Sequence, residues 1–146
     1  GFVDVLAGGQ IHHGVGTPRH RTQALGKLLE HEVANVLVDC RTEIEHMYVG
    51  HPVGAEHVAW QEAPDWEIDA DFALRVKRLL KGDASRPVLL ICRSGHRSLH
   101  AADALENAGF TRVINVTEGF EGPLDDDFHR GTLGGWRFRG LPWQQS

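Results

Sequence analysis

Pro87-Val88-Leu89-Leu90-Ile91-Cys92-Arg93-Ser94-Gly95-His96-Arg97-Ser98 is the stretch on which the fold turns. Its first five residues form a continuous apolar run of strand length, and a polar loop follows without a spacer. From Leu99 to Ala108 the apolar residues recur at helical spacing, and Gly109 offers a stop. Downstream, Val113-Ile114-Asn115-Val116 reads as another short strand. Upstream, Ile68, Phe72, Val76, Leu79 and Leu80 line one helix face, with Gly82 closing it. The segment from Gly50 to Trp60 is turn-rich, and Val36-Leu37-Val38 before it is a buried strand ending in Asp39. Leu25, Leu28 and Leu29 fit a short helix, and Phe2 to Leu6 fits an edge strand followed by a loop. Strands and helices alternate through the middle of the chain. That pattern predicts an α/β fold with a parallel sheet covered on both faces.

With 146 residues, 41% of them hydrophobic, the chain suits one core and is short for two. We expect one domain over 1–146, with an irregular N-terminal segment at 1–24 and an irregular, aromatic C-terminal tail at 121–146. The net charge of −5, with twelve arginines scattered among twenty acids, argues against a nucleic-acid partner. No run approaches the roughly 18 apolar residues of a membrane span, so no membrane partner is expected. Two cysteines, Cys40 and Cys92, are too few for a disulfide scaffold and lack the paired spacing of a zinc site, which points to a reducing cytoplasm. His12, His13 and His20 sit in a Gly-rich segment without metal-ligand spacing, and we expect neither metal nor cofactor. Trp60, Trp66, Trp136 and Trp143 are read as filling the margin of the core.

In an open parallel sheet, ligands bind at the carboxyl ends of the strands, where Cys92 leads the loop. Between Ile91 and Leu99 the backbone turns from strand to helix, so successive NH groups converge and meet the positive end of the helix dipole. A thiol there is stabilised as the thiolate, the nucleophilic form, by these amides and by Arg93 and Arg97. Gly95 supplies the backbone freedom of the curve. An inert core cysteine would not be expected to lead two arginines, a histidine, two serines and a glycine.

These residues resemble the rhodanese family, whose active loop has a Cys, four intervening residues and commonly an Arg, as in Cys92 through Arg97. Asp39-Cys40-Arg41 is similar to the family's Asp-x-Arg, and Gly50-His51-Pro52-Val53-Gly54-Ala55 to its Gly-His-Ile-Pro-Gly-Ala segment. Val113 to Val116 with Glu118-Gly119-Phe120 resembles its late strand and following turn. The likeness runs from about Leu25 to Phe120. Three departures concern loop shape: Pro52-Val53 in place of an apolar residue then Pro, Glu118 where Gly is frequent, and a slightly long spacing from Arg41 to Gly50. The resemblance implies a three-layer α/β/α fold whose central five-stranded parallel sheet has the order 3-2-4-5-1.

It also implies sulfur transfer. Cys92 would take the outer sulfur of thiosulfate or a similar small anionic donor, hold it as a persulfide, and yield it to a thiol, cyanide or protein acceptor. Related phosphatases have five residues between Cys and Arg, so the shorter loop here disfavours a phosphatase or arsenate reductase. A non-turnover persulfide carrier loaded by a partner protein is the alternative. Arg93, Ser94, Gly95, His96, Arg97 and Ser98 form the expected substrate-binding set, with Arg97 also bracing the loop and Ser98 capping the helix. Asp39 and Arg41 are expected in support, holding loops together by ion pairing. Cys40 is read as a packed, unreactive thiol, with disulfide formation to Cys92 as the alternative use.

Overall fold

The computed structural model describes residues 3–6, 10–12 and 35–146, with side chains from 35 onward. The helix expected around Leu25, Leu28 and Leu29 lies outside the described residues, as do His13 and His20. Strands β1 (Val3–Leu6), β2 (Gln10–His12) and β3 (Val36–Asp39) are followed by a π-helical turn, Glu45–Val49. Then come β4 (His51–Pro52), β5 (Glu56–His57), helix α1 (Phe72–Leu79), β6 (Val88–Ile91), helix α2 (His96–Asn107), β7 (Val113–Val116) and β8 (Trp143–Gln144).

Six strands form one sheet in the order β2-β1-β7-β6-β3-β5. All neighbouring pairs from β1 to β5 are parallel, and β2 adds an antiparallel edge strand. Counted along the chain, the five parallel strands are β1, β3, β5, β6 and β7, so their order is 3-2-4-5-1, as the resemblance implied. The strand expected at Phe2 to Leu6 is present as β1, but it lies inside the sheet, and a second strand, β2, takes the edge where a loop was expected. The pairing partner of β1 is β7, far away in sequence, so the short Phe2–Leu6 run gave no local sign of its place.

Alternation along the strands splits the core in two. Val38 and Cys40 of the β3 segment, Val88, Leu90 and Cys92 of the β6 segment, and Val113 face α1 and α2, against Phe72, Val76, Ala101, Ala102 and Leu105. Each fully buried aliphatic side chain there contributes roughly 1.5–3 kcal/mol. On the opposite face Leu37, Leu89, Ile91, Ile114 and Val116 pack with Phe120 and Trp136. The C-terminal tail therefore crosses the domain as an aromatic cover, and its Trp143–Gln144 pairs with β4 in a separate two-stranded ribbon. Of the tryptophans, Trp60 and Trp136 are buried, whereas Trp66 and Trp143 are exposed.

Helix α1 begins later than the apolar spacing suggests, because Ile68 bridges to Gln61 and stays exposed. It ends as expected, with Gly82 N donating to Lys77 O at 2.9 Å. The long spacing from Arg41 to Gly50 is taken up by the π-helical turn, whose wider backbone ring accommodates extra residues. Glu118, in place of Gly, ion-pairs with Arg139 and accepts from Gly135 N at 2.7 Å, tying the tail to the turn after β7.

Candidate functional site

The carboxyl ends of β3 and β6 lie side by side, and they bring the Asp39–Arg41 segment next to the Cys92 loop. After Ile91 the chain leaves the sheet at Cys92 and enters α2 at His96, through Gly95 with φ of 95°. Only glycine adopts that conformation readily, and a Cβ here would stand 1.9 Å from Thr117 O. So tight a turn folds the loop amides back on the side chain that precedes them. Cys92 Sγ accepts from Gly95 N at 3.1 Å and Ser98 N at 3.3 Å, and lies 3.2 Å from Ser98 Oγ. From behind, Phe120 N donates to Cys92 O at 2.7 Å and Glu121 N to Arg93 O at 2.9 Å, so the turn after β7 fixes the loop backbone.

The Cys92 thiol is drawn down to about 5. A hydrogen bond from the Cys40 thiol is the largest cause, and the Ser98 hydroxyl and loop amides add to it, together outweighing the burial that favours the neutral form. Cys40, with its sulfur also 3.4 Å from Ile91 O, is pushed well up by the same contact and by its complete burial. Cys92 is 1% exposed, so its sulfur sits at the floor of the loop, not at its rim.

The loop residues divide into two groups. Arg93 and His96 are exposed, Ser94 and Gly95 half-buried, and His96 meets His100 edge to face at 5.9 Å. Arg97 instead makes a two-pronged pair with Glu45 of the π-helical turn, at 2.7 and 2.9 Å. The guanidinium expected over the anion site thus clamps the loop to a distant segment. Ser98 is not a cap. Because α2 starts at His96, the hydroxyl falls in the first turn and points inward to the thiol.

Asp39 and Arg41 form a wholly buried ion pair. Arg41 Nε and Nη2 donate to the carboxylate at 2.9 and 2.7 Å, and His46 Nδ1 adds a third contact at 2.8 Å. Arg41 also donates to Gly50 O and lies 4.5 Å from the centre of the Phe120 ring. Burial alone raises the Asp39 carboxyl, but the bonds from His46 and Arg41 and the Arg41 charge overcome it and hold the group at about 2. His46 further stacks on His51 and His57 with ring centres 3.8 and 4.7 Å away. Sequence reading missed Glu45, His46 and the place of Cys40. The parallel register of the two strands holds a signal for Cys40 alone.

Among the described residues no group of three or more His, Cys, Asp or Glu side chains is placed to hold a metal ion. Nor is any helix there long and apolar enough to cross a membrane.

The sequence pattern of the Rhodanese-like domain family matches residues 22–124. An uncharacterized protein of Rickettsia rickettsii, the RP600 homolog, is 31% identical over 123 residues, covering 84% of this chain and 93% of its own. The thiosulfate sulfurtransferase GlpE of Stutzerimonas stutzeri is 32% identical over 87 residues, 59% of this chain and 67% of its own. The crystal structure of Rv0390 from M. tuberculosis superposes with a TM-score of 0.74 at 32% identity, covering 98% of this chain and 97% of that one.

Proposed function

Because the chain belongs to the rhodanese-like domain family, we propose that it is a sulfurtransferase that carries sulfane sulfur as a persulfide on Cys92. The observation behind this reading is the convergence of Gly95 N, Ser98 N and Ser98 Oγ on a thiol held at about 5. Such a sulfur is a thiolate at neutral pH and a competent nucleophile. It attacks the outer sulfur of thiosulfate or a similar small anionic donor, the S–S bond of the donor breaks, and sulfite leaves with the bonding pair. The outer sulfur then passes to cyanide, a thiol or a protein acceptor, and the Cys92 thiolate returns. The same donors that face the thiolate also offer hydrogen bonds to the charge of the persulfide. Arg93 and His96, exposed on the loop, are the groups that meet the donor, and Arg97 keeps the loop in shape through Glu45.

Thiocyanate formation from thiosulfate and cyanide tests this. The wild type is expected to turn over, and Cys92→Ser to form none. The donor step should rise with pH through about 5 and then level off, following ionisation of the thiol. If the protein forms no thiocyanate and gains no sulfur from thiosulfate or from a small-thiol persulfide, the assignment fails.

A further inference from the structure

Cys40 and Cys92 occupy matching positions on neighbouring parallel strands. Val38 stands opposite Leu90 and Asp39 opposite Ile91. One more step sets Cys40 opposite Cys92, and the ladder persists there, with Cys40 N donating to Ile91 O at 3.0 Å. Both side chains turn to the helix-covered face and share one core cluster. Adjacent strands run about 4.8 Å apart, within the Cα separation of about 4.4–6.8 Å that a disulfide spans. Both thiols are free, and both are almost sealed from solvent, at 0% and 1% exposure. Each thiol is the largest influence on the other's ionisation, lowering Cys92 and raising Cys40.

We propose that Cys40 is the resolving thiol of this site, attacking the inner sulfur of a Cys92 persulfide to form the Cys40–Cys92 disulfide and expel the outer sulfur as hydrogen sulfide. The inference rests on the persulfide reading given above and adds a sulfide-releasing activity to it. In the step, the Sγ–Sγ bond between the two cysteines forms as the bond to the outer sulfur breaks. The Cys40 proton leaves with that sulfur. The cysteine pair is oxidised by two electrons and the outer sulfur is reduced by two, so a single turnover needs no outside oxidant. Loading the site favours the attack. In the resting site the Cys92 charge suppresses ionisation of Cys40, whereas in the persulfide that charge has moved one bond outward and the inner sulfur is electrophilic. A second turnover requires a dithiol, or two thiols, to reduce the disulfide.

The test follows fully reduced protein, freed of reductant and kept anaerobic, after one equivalent of thiosulfate. Intact mass and free sulfide are read over time for the wild type, Cys40→Ser and Cys40→Ala. The wild type should end two hydrogens lighter than it began, with about one sulfide released per sulfite, while both variants keep an added sulfur atom. Should either variant unfold, a cleaved peptide joining Cys40 to Cys92 in the wild type reads the same step. A wild type that keeps its added sulfur as long as the variants do, or that releases sulfide with both thiols still free, overturns the resolving role while leaving the persulfide intact. Absence of added sulfur in every protein, with no sulfite formed, overturns the persulfide and this inference together.

Discussion

Strands β3 and β6 are neighbours, end at the same edge of the sheet, and each delivers a buried charge there, yet the two ends behave in opposite ways. At the β3 end the Asp39 carboxylate is met by the full charge of Arg41 and by His46, and Arg41 is itself held by Gly50 O and the Phe120 ring. At the β6 end the Cys92 sulfur is met by backbone amides, a hydroxyl and a neighbouring thiol, with no guanidinium bonded to it among the described residues. A buried ion pair is matched and immobile: neither charge can change without stranding the other. An anion held by dipoles has no counter-ion, so its charge can move into a new bond without stranding a partner. The difference between a strut and the proposed nucleophile here is the kind of partner, since burial and position are shared.

Removing one partner of the strut should have the largest effect. Arg41→Ala strands the Asp39 carboxylate in the core, and urea unfolding is expected to show a loss of about 3–5 kcal/mol; an unchanged midpoint would show that the pair is not the brace described. Gly95→Ala attacks the other end. It forces φ of 95° on a residue with a Cβ and drives that Cβ toward Thr117 O. We expect about 2–3 kcal/mol of destabilisation and a thiol whose alkylation profile moves up from about 5, as the amides lose their aim.

Acid separates the two ends without mutation. The folded value of Asp39, about 2, is below the ordinary value of 3.8. Its contribution of about 2 kcal/mol is therefore complete above pH of about 4–5 and is lost as pH falls through about 2. Unfolding curves collected over that window should show the fall in the wild type and a flatter line in Asp39→Asn. Arg97→Ala is the smallest change: the pair with Glu45 is partly exposed, and screening leaves about 1 kcal/mol. Thiocyanate assays should then show kcat falling more than KM rises, the sign of a loosened loop. A rise in KM alone would instead return Arg97 to donor binding.

Much of this plan is legible in the chain itself. Strands β3, β6 and β7 are short, largely apolar runs because they are buried on both faces, with Asp39 ending β3 and Asn115 alone interrupting β7, and Gly82 and Gly109 mark where the helices stop. What escapes is pairing at a distance. β4 and β8 are two-residue strands that exist through each other, and no local pattern announces a ribbon between His51–Pro52 and Trp143–Gln144. Ser98 looks like a cap because a hydroxyl near a helix start usually is one, but the left-handed Gly95 starts the helix earlier and turns that hydroxyl inward. The partner of Arg97 is illegible for a similar reason: Glu45 reaches it from a turn on another strand's connection.

Trp136, 2% exposed, lies beyond residue 124, where the family pattern stops, yet it packs with Leu37, Leu89 and Ile91 and its indole donates to Pro142 O at 2.8 Å. The end of the family pattern is thus not the boundary of the folding unit. Expressed only as far as residue 124, the polypeptide would leave a greasy hollow behind the strand that carries Cys92, and any assay on such a fragment would measure a damaged protein.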